Sequence, residues 1–200
     1  MGIKFKNLKE LLNKRINVHS FECIDDLENL IRYSNENEKF SMRFDRDKDY
    51  HQLPFYTYDK SLFSTIDDSN EYLNKIMNEA HKLNCSILCA IGYLYNDLQI
   101  CNFVIKVEEN GNFILEFCTK KVSLREMYEH ETTILKGNIK DSIKDMDWIR
   151  KNANDIDERK LEKIISWALK TNIINKNIEA TLYEEKVGIF NEDIACWQID

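Results

Sequence analysis

Glu116 stands alone among apolar neighbours in Phe113-Ile114-Leu115-Glu116-Phe117-Cys118, a run whose aromatic and β-branched content reads as a strand. A charge there is paired, exposed at a sheet edge, or kept for chemistry. Buried and unpaired, Glu116 is a candidate general acid or base. Bonded to an Arg, a backbone amide or Lys106, it is structural.

Arg43 is the second candidate. It lies in Met42-Arg43-Phe44-Asp45-Arg46-Asp47-Lys48-Asp49-Tyr50-His51, the densest charge cluster of the chain. An Arg on a strand beside an irregular loop can anchor phosphate or carboxylate with its planar fork. The competing reading is a self-neutralising, solvated strand end. Phe40, Met42 and Phe44 alternate with Ser41, Arg43 and Asp45, so Asp45 shares the face of Arg43. Asp45, Asp47 and Asp49 have the every-second-residue spacing of a calcium loop. Tyr50 stands where its Gly belongs and the distal Glu is missing, so no metal is expected.

Glu179 is a further candidate ligand-binding residue. It shares a strand face with Thr181 and Tyr183, and with Gln198 on a terminal strand it could join Glu116 in one site.

These side chains must be positioned by a sheet. Strand-like runs occupy 86–94, 98–108 and 112–119, separated by Asn96-Asp97 and Asn110-Gly111, the latter a strong hairpin signal. If both are two-residue turns, Glu116 faces Ile105, Leu88 faces Ile105 from the other side, and Glu116 sits on an otherwise apolar face. A one-residue bulge would instead bring Lys106 opposite Glu116.

Apolar periodicity predicts helices over 7–15, from Asp25 through Leu27, Leu30 and Ile31, from Asp68 or Ser69 through Leu73, Ile76, Met77 and Ala80, over 140–151 and over 157–170. A short helix is expected at 123–130. Further strands are expected at 39–45, 132–136, 178–183, 187–190 and 194–199, with a long irregular stretch from 46 to about 65. The expected fold class is α+β, with a central antiparallel meander over about 86–119, additional short strands and about five helices packed on the sheet. No Gly/Ser- or Pro-rich linker interrupts the sequence, so one domain over 1–200 is expected, with the helices of 7–35 as candidates for a peripheral attachment.

The composition, 43% hydrophobic and 32% charged with a net charge of -7, belongs to a globular protein. The negative charge disfavours unspecific binding to nucleic-acid backbones. No apolar run reaches the ~18 residues of a membrane span. The residues after Met1 form no signal-peptide core, and Lys6 breaks the myristoylation pattern; a cytoplasmic location is expected. Six cysteines, mostly inside apolar runs and without C-x-x-C spacing, read as reduced core residues. His19, His51, His81 and His130 are scattered. G-x-S-x-G, Walker and G-x-G-x-x-G motifs are missing, as is a zinc-hydrolase motif. Trp148, Trp167 and Trp197 sit in or beside apolar periodic segments and read as core.

With no strong catalytic constellation and no cofactor signature, the leading expectation is a small acidic binding or regulatory protein acting through a protein partner, such as an inhibitor or accessory factor. The alternative is a small-molecule enzyme or sensor for an anionic, nucleotide-like ligand, with Arg43 holding the anion and Glu116 as acid/base or polar anchor.

Overall fold

The computed structural model describes residues 2–47 and 53–199. Asp49, Tyr50 and His51 of the charged segment lie outside the described residues. The chain is α+β and divides into two compact units, Met1–Glu10 with His19–Leu94 and Leu11–Val18 with Tyr95–Asp200.

The first unit is built on β1 (Phe21–Ile24), β2 (Lys39–Asp45), β3 (Phe55–Asp59) and β4 (Ser86–Ala90), ordered β1-β4-β2-β3 with every pair antiparallel. Alternation along β2 sends Phe40, Met42 and Phe44 into the core. There they meet Leu30 and Tyr33 of α2 (Leu27–Glu36) and Leu73, Ile76, Met77 and Ala80 of α3 (Ile66–Lys82). Both helices start on side-chain caps that satisfy their first amides: Asp26 accepts from Asn29 N, and Thr65 and Asp68 form a reciprocal capping box. Phe40 stacks on Tyr58 at 4.7 Å and meets Tyr33 edge-on at 5.0 Å.

His19 is buried in this unit, and desolvation lowers its pKa to about 3. The unfolded chain binds a proton near pH 6.5, while the folded chain resists it until far lower pH. Stability is therefore full above 6.5 and falls as pH drops from 6.5 towards 3. Between pH 7.5 and 5.0 this group should remove about 2 kcal/mol. Urea unfolding at both pH values, compared with His19→Leu, isolates the contribution; an equal pH dependence in the variant would refute it.

The second unit carries β5 (Gln99–Val107), β6 (Asn112–Cys118), β7 (Thr133–Asn138), β8 (Asn177–Val187) and β9 (Glu192–Ile199), ordered β7-β6-β5-β8-β9 and antiparallel throughout. One face is apolar and buried: Phe103, Ile105, Val107, Phe113, Leu115, Phe117, Ile178, Ala180 and Leu182. Trp167 of α7 (Glu158–Thr171) meets Phe103 edge-on at 5.7 Å, and Trp148 of α6 (Met146–Asn152) meets Phe113 likewise at 5.9 Å. The remaining helices are short, α4 (Leu124–Met127) and α5 (Ile139–Ser142).

The expected meander over 86–119 is divided. Its hairpin over 99–118 lies in the five-stranded sheet, whereas β4 is a central strand of the other sheet, paired with β1 and β2. Residues Ile91–Leu98, read as strand and two-residue turn, wind into 3-10 turns. A short apolar run has no periodicity that separates the two outcomes. The helix expected over 140–151 breaks into α5 and α6, because Asp145 caps a new helix by accepting from Trp148 N at 3.0 Å. The strand expected at 187–190 is the turn between β8 and β9, where Gly188 has φ +77 and Asn191 φ +56.

Among the described residues no helix is long and apolar enough to cross a membrane. The six cysteines are free and all but Cys23 are buried. Burial pushes the Cys101 thiol up to about 12, which makes it inert rather than nucleophilic.

Candidate functional site

The loop between β5 and β6 decides where Glu116 points. Gly111 N donates to Glu108 O at 2.9 Å and Glu108 N to Asn112 O at 2.8 Å, so residues 109–111 form a three-residue connection. Gly111 takes φ +83, a left-handed conformation that glycine adopts without penalty. The register is offset by one from that of a two-residue turn: Glu116 faces Val104, not Ile105, and Lys106 faces Ile114. Because side chains alternate, one step exchanges the faces. Glu116 therefore leaves the apolar face for the opposite one, where Lys106 also lies.

That opposite face is polar in rows. One row runs Ile134, Glu116, Val104, Glu179 and Gln198 across all five strands. The next runs Lys136, Ile114, Lys106 and Asn177. With neighbouring strands about 4.8 Å apart, the backbones of Glu116 and Glu179 stand roughly 10 Å apart on either side of Val104. Lys106 lies two residues along β5 from Val104, diagonal to both carboxylates. Thr132 Oγ1 donates to Glu116 Oε1 at 2.7 Å and fixes its rotamer. Glu116, Lys106 and Glu179 are half-buried, and Gln198 is buried.

A third row is wired by hydrogen bonds. Trp197 Nε1 donates to Thr181 Oγ1 at 2.8 Å, Thr181 Oγ1 to Asn102 Oδ1 at 2.6 Å, and Asn102 Nδ2 to Val122 O at 2.6 Å. Thr181 and Asn102 are buried and face each other across β5 and β8. The chain of bonds sets the orientation of Trp197 beside Gln198. Asn102 and Thr132 gave no signal in the sequence, since each matters only through a partner on another strand or loop.

Two sequence candidates lie in the first unit. Arg43 faces Leu88 and Phe55 across β2, and its guanidinium sits 5.5 Å from the centre of the Phe55 ring, a cation–π contact. Asp45 is fully buried, and its two side-chain oxygens accept from Lys4 N at 3.1 Å and Phe5 N at 3.0 Å. It caps α1 (Ile3–Asn13) from a distant strand. Glu116, Lys106 and Glu179 thus share one face of the second unit, with Arg43 and Asp45 on the sheet of the first.

Chemically, the polar face sets the ammonium of Lys106 diagonal to two carboxylates, with Lys136 farther along the same row. It can bind a phosphate or carboxylate through Lys106 and orient hydroxyl or amine groups through Glu116, Glu179 and Gln198. Among the described residues no group of three or more His, Cys, Asp or Glu is placed to hold a metal ion.

No protein-family model matches the sequence, and no curated protein matches it. Solved structures do share its fold. D-alanyl-alanine synthetase A from Vibrio cholerae superposes with a TM-score of 0.54 at 10% identity, over 98% of this chain and 53% of that one. N5-carboxyaminoimidazole synthetase from Staphylococcus aureus, complexed with ADP, gives 0.54 at 9% identity, over 98% and 43%. The fold is shared with these two synthetases. A RiPP-associated ATP-grasp ligase from Chryseobacterium gregarium, in complex with ADP and a leader and core peptide, gives 0.49 at 10% identity, over 98% and 50%. The chain spans about half the length of these structures. The leading expectation from the sequence, a non-enzymatic module acting through a protein partner, is overturned here, because two of the solved structures that share this fold are synthetases. The described side chains of interest come from separate strands and leave no local motif.

Proposed function

We propose that this chain is a nucleotide-binding enzyme module that takes an anionic, nucleotide-like small molecule on the polar face of its five-stranded sheet. The observation that carries the reading is the row Glu116, Val104, Glu179 and Gln198 with Lys106 beside it, in a fold shared with D-alanyl-alanine synthetase A. Lys106 supplies the cationic contact for phosphate. Glu116, Glu179 and Gln198 are the polar anchors for hydroxyl and amine groups. ADP in the N5-carboxyaminoimidazole synthetase structure supports the choice of a nucleotide as first ligand to test. The donor set does not form a metal cage, so the reading rests on the anion alone.

Thermal shift and calorimetry with ATP, ADP and AMP test it. Ligand at 100 times its Kd adds about 2.7 kcal/mol to stability, a clear rise in Tm. Lys106→Ala should lose the rise that AMP gives, since its single phosphate depends on the sheet face. Glu116→Gln, which keeps an acceptor for Thr132, should change stability by less than about 0.5 kcal/mol while weakening ligand binding. No shift with any of the three nucleotides at millimolar concentration would overturn the proposal. So would full binding by both variants.

A further inference from the structure

A second feature lies away from the polar sheet face. The segment after α1, the exposed side of α7 and the start of β9 enclose a groove of about 510 Å³. Its rim carries Lys14, Arg15, Lys163, Lys170 and Lys186, against only Glu192 and Asp193. Lys163 forms an ion pair with Asp193, which leaves Arg15, Lys170 and Lys186 facing Glu192 in a chain whose net charge is -7. The floor is apolar: Ile16 and Ile194 are buried, and the half-buried Trp167 is anchored edge-on to Phe103. Beyond Lys163 a smaller groove of about 330 Å³ adds Arg159 and Lys160 against Glu184.

Like charges gathered at one groove repel one another and lower stability unless a counter-charge occupies it. The walls are not free to spread. Asn17, next to Ile16, bonds the backbone on both sides of the β8–β9 turn, so the groove is held by buried hydrogen bonds. Its volume is that of small-molecule sites, and its combination of apolar floor and cationic rim suits a ligand with one planar or hydrocarbon part and several negative charges.

We propose that this groove is a separate binding site for a small molecule bearing two or more phosphate groups, distinct from the polar sheet face. The phosphates lie along Lys170, Lys186 and Arg15, and the uncharged part rests on Trp167. The site belongs to the helix-covered side of the sheet, since Trp167 meets the apolar-face residue Phe103.

The test is calorimetric titration of the whole chain with inorganic tripolyphosphate, alongside Lys170→Glu/Lys186→Glu and Lys106→Ala. Both reversed lysines are exposed, and circular dichroism and Tm without ligand check that the variant folds. The wild type and Lys106→Ala should bind with the same affinity, and the double reversal should weaken binding at least tenfold. Trp167 fluorescence should respond to ATP in Lys106→Ala and not in the double reversal. Failure of the wild type to bind tripolyphosphate overturns the proposal, as does unchanged binding by the double reversal or its loss in Lys106→Ala alone. A short single-stranded oligonucleotide that binds more than tenfold tighter than tripolyphosphate would also overturn it, in favour of a nucleic-acid surface. Loss of nucleotide binding at Lys106 is read separately, so the two proposals fail independently.

Discussion

Asn17→Ala should cost about 3–5 kcal/mol, one of the two largest effects expected of a single side chain here. The residue has no exposed surface. Its Nδ2 donates to Val187 O and Ile194 O, both at 2.9 Å, and its Oδ1 accepts from Phe190 N at 2.8 Å. Truncation leaves two carbonyls and one amide without partners, at about 1–3 kcal/mol for each group fully buried, and opens a small cavity. The same segment also bonds through its backbone, Cys196 N to Asn17 O and Ile189 N to Val18 O, so the turn would loosen rather than detach. Asn17→Asp is the sharper test, because it differs by one atom yet replaces the donor with an oxygen facing two carbonyls. It should destabilise at least as much as alanine. Urea unfolding measures the cost, and hydrogen exchange at the Phe190 amide reports the lost acceptor. A cost below about 1 kcal/mol for both variants would show that the clamp carries no weight. Gly188 belongs to the same device: a Cβ there would lie 2.6 Å from Asn17 Oδ1 and 2.7 Å from Val18 O, on a backbone already at φ +77.

The contrast between Asn17 and the helices shows what a sequence discloses. Leu161, Ile164, Ile165 and Ala168 form a stripe at helical spacing, and Asp157 caps the helix by accepting from Arg159 N. Both signals are local, and α7 begins and ends within a residue of its expected bounds. The strand Lys39–Asp45 was legible for the same reason. Asn17, by contrast, sits about 170 residues from the groups it bonds. β3 was hidden differently. It lies at a sheet edge, pairs only with β2, and follows Pro54, so Phe55–Asp59 read as loop although Tyr56 and Tyr58 alternate with Thr57.

The candidate site was legible as a set of strand residues and illegible as a place. Lys106, Glu116 and Glu179 were each identified, but the face they occupy depends on whether Asn110-Gly111 closes a two- or a three-residue connection. Both are compatible with the sequence, and they differ by one position in register. That one position separates a carboxylate on an apolar face from one on a polar face, beside an ammonium. The grouping of Lys14, Arg15, Lys170 and Lys186 was further out of reach, because four dispersed cations in an acidic chain leave no local mark.

Asp45→Ala should destabilise the first unit by about 3 kcal/mol and leave nucleotide binding by the folded protein unchanged. Strand alternation put Asp45 beside Arg43, and the charge cluster made it a candidate ligand. Instead its side chain is wholly enclosed and both oxygens are taken by Lys4 N and Phe5 N, the first amides of α1. Those amides have no acceptor within their own helix, so a distant strand supplies one. Removing it strands two buried donors and also deletes a side chain placed favourably at the positive end of the helix dipole. Gly2 fits the arrangement, since a Cβ at that position would fall 2.1 Å from Asp45 Cγ. Asp45→Asn retains one acceptor oxygen but turns an amide donor towards a donor, so it should fall between wild type and alanine, at about 1–2 kcal/mol. Urea unfolding of the three proteins at pH 7.5 gives the order. If alanine matched wild type, the amides of α1 would have to be satisfied elsewhere. If Asp45→Asn kept full stability but lost ligand binding, Asp45 would act as a ligand contact rather than as a cap.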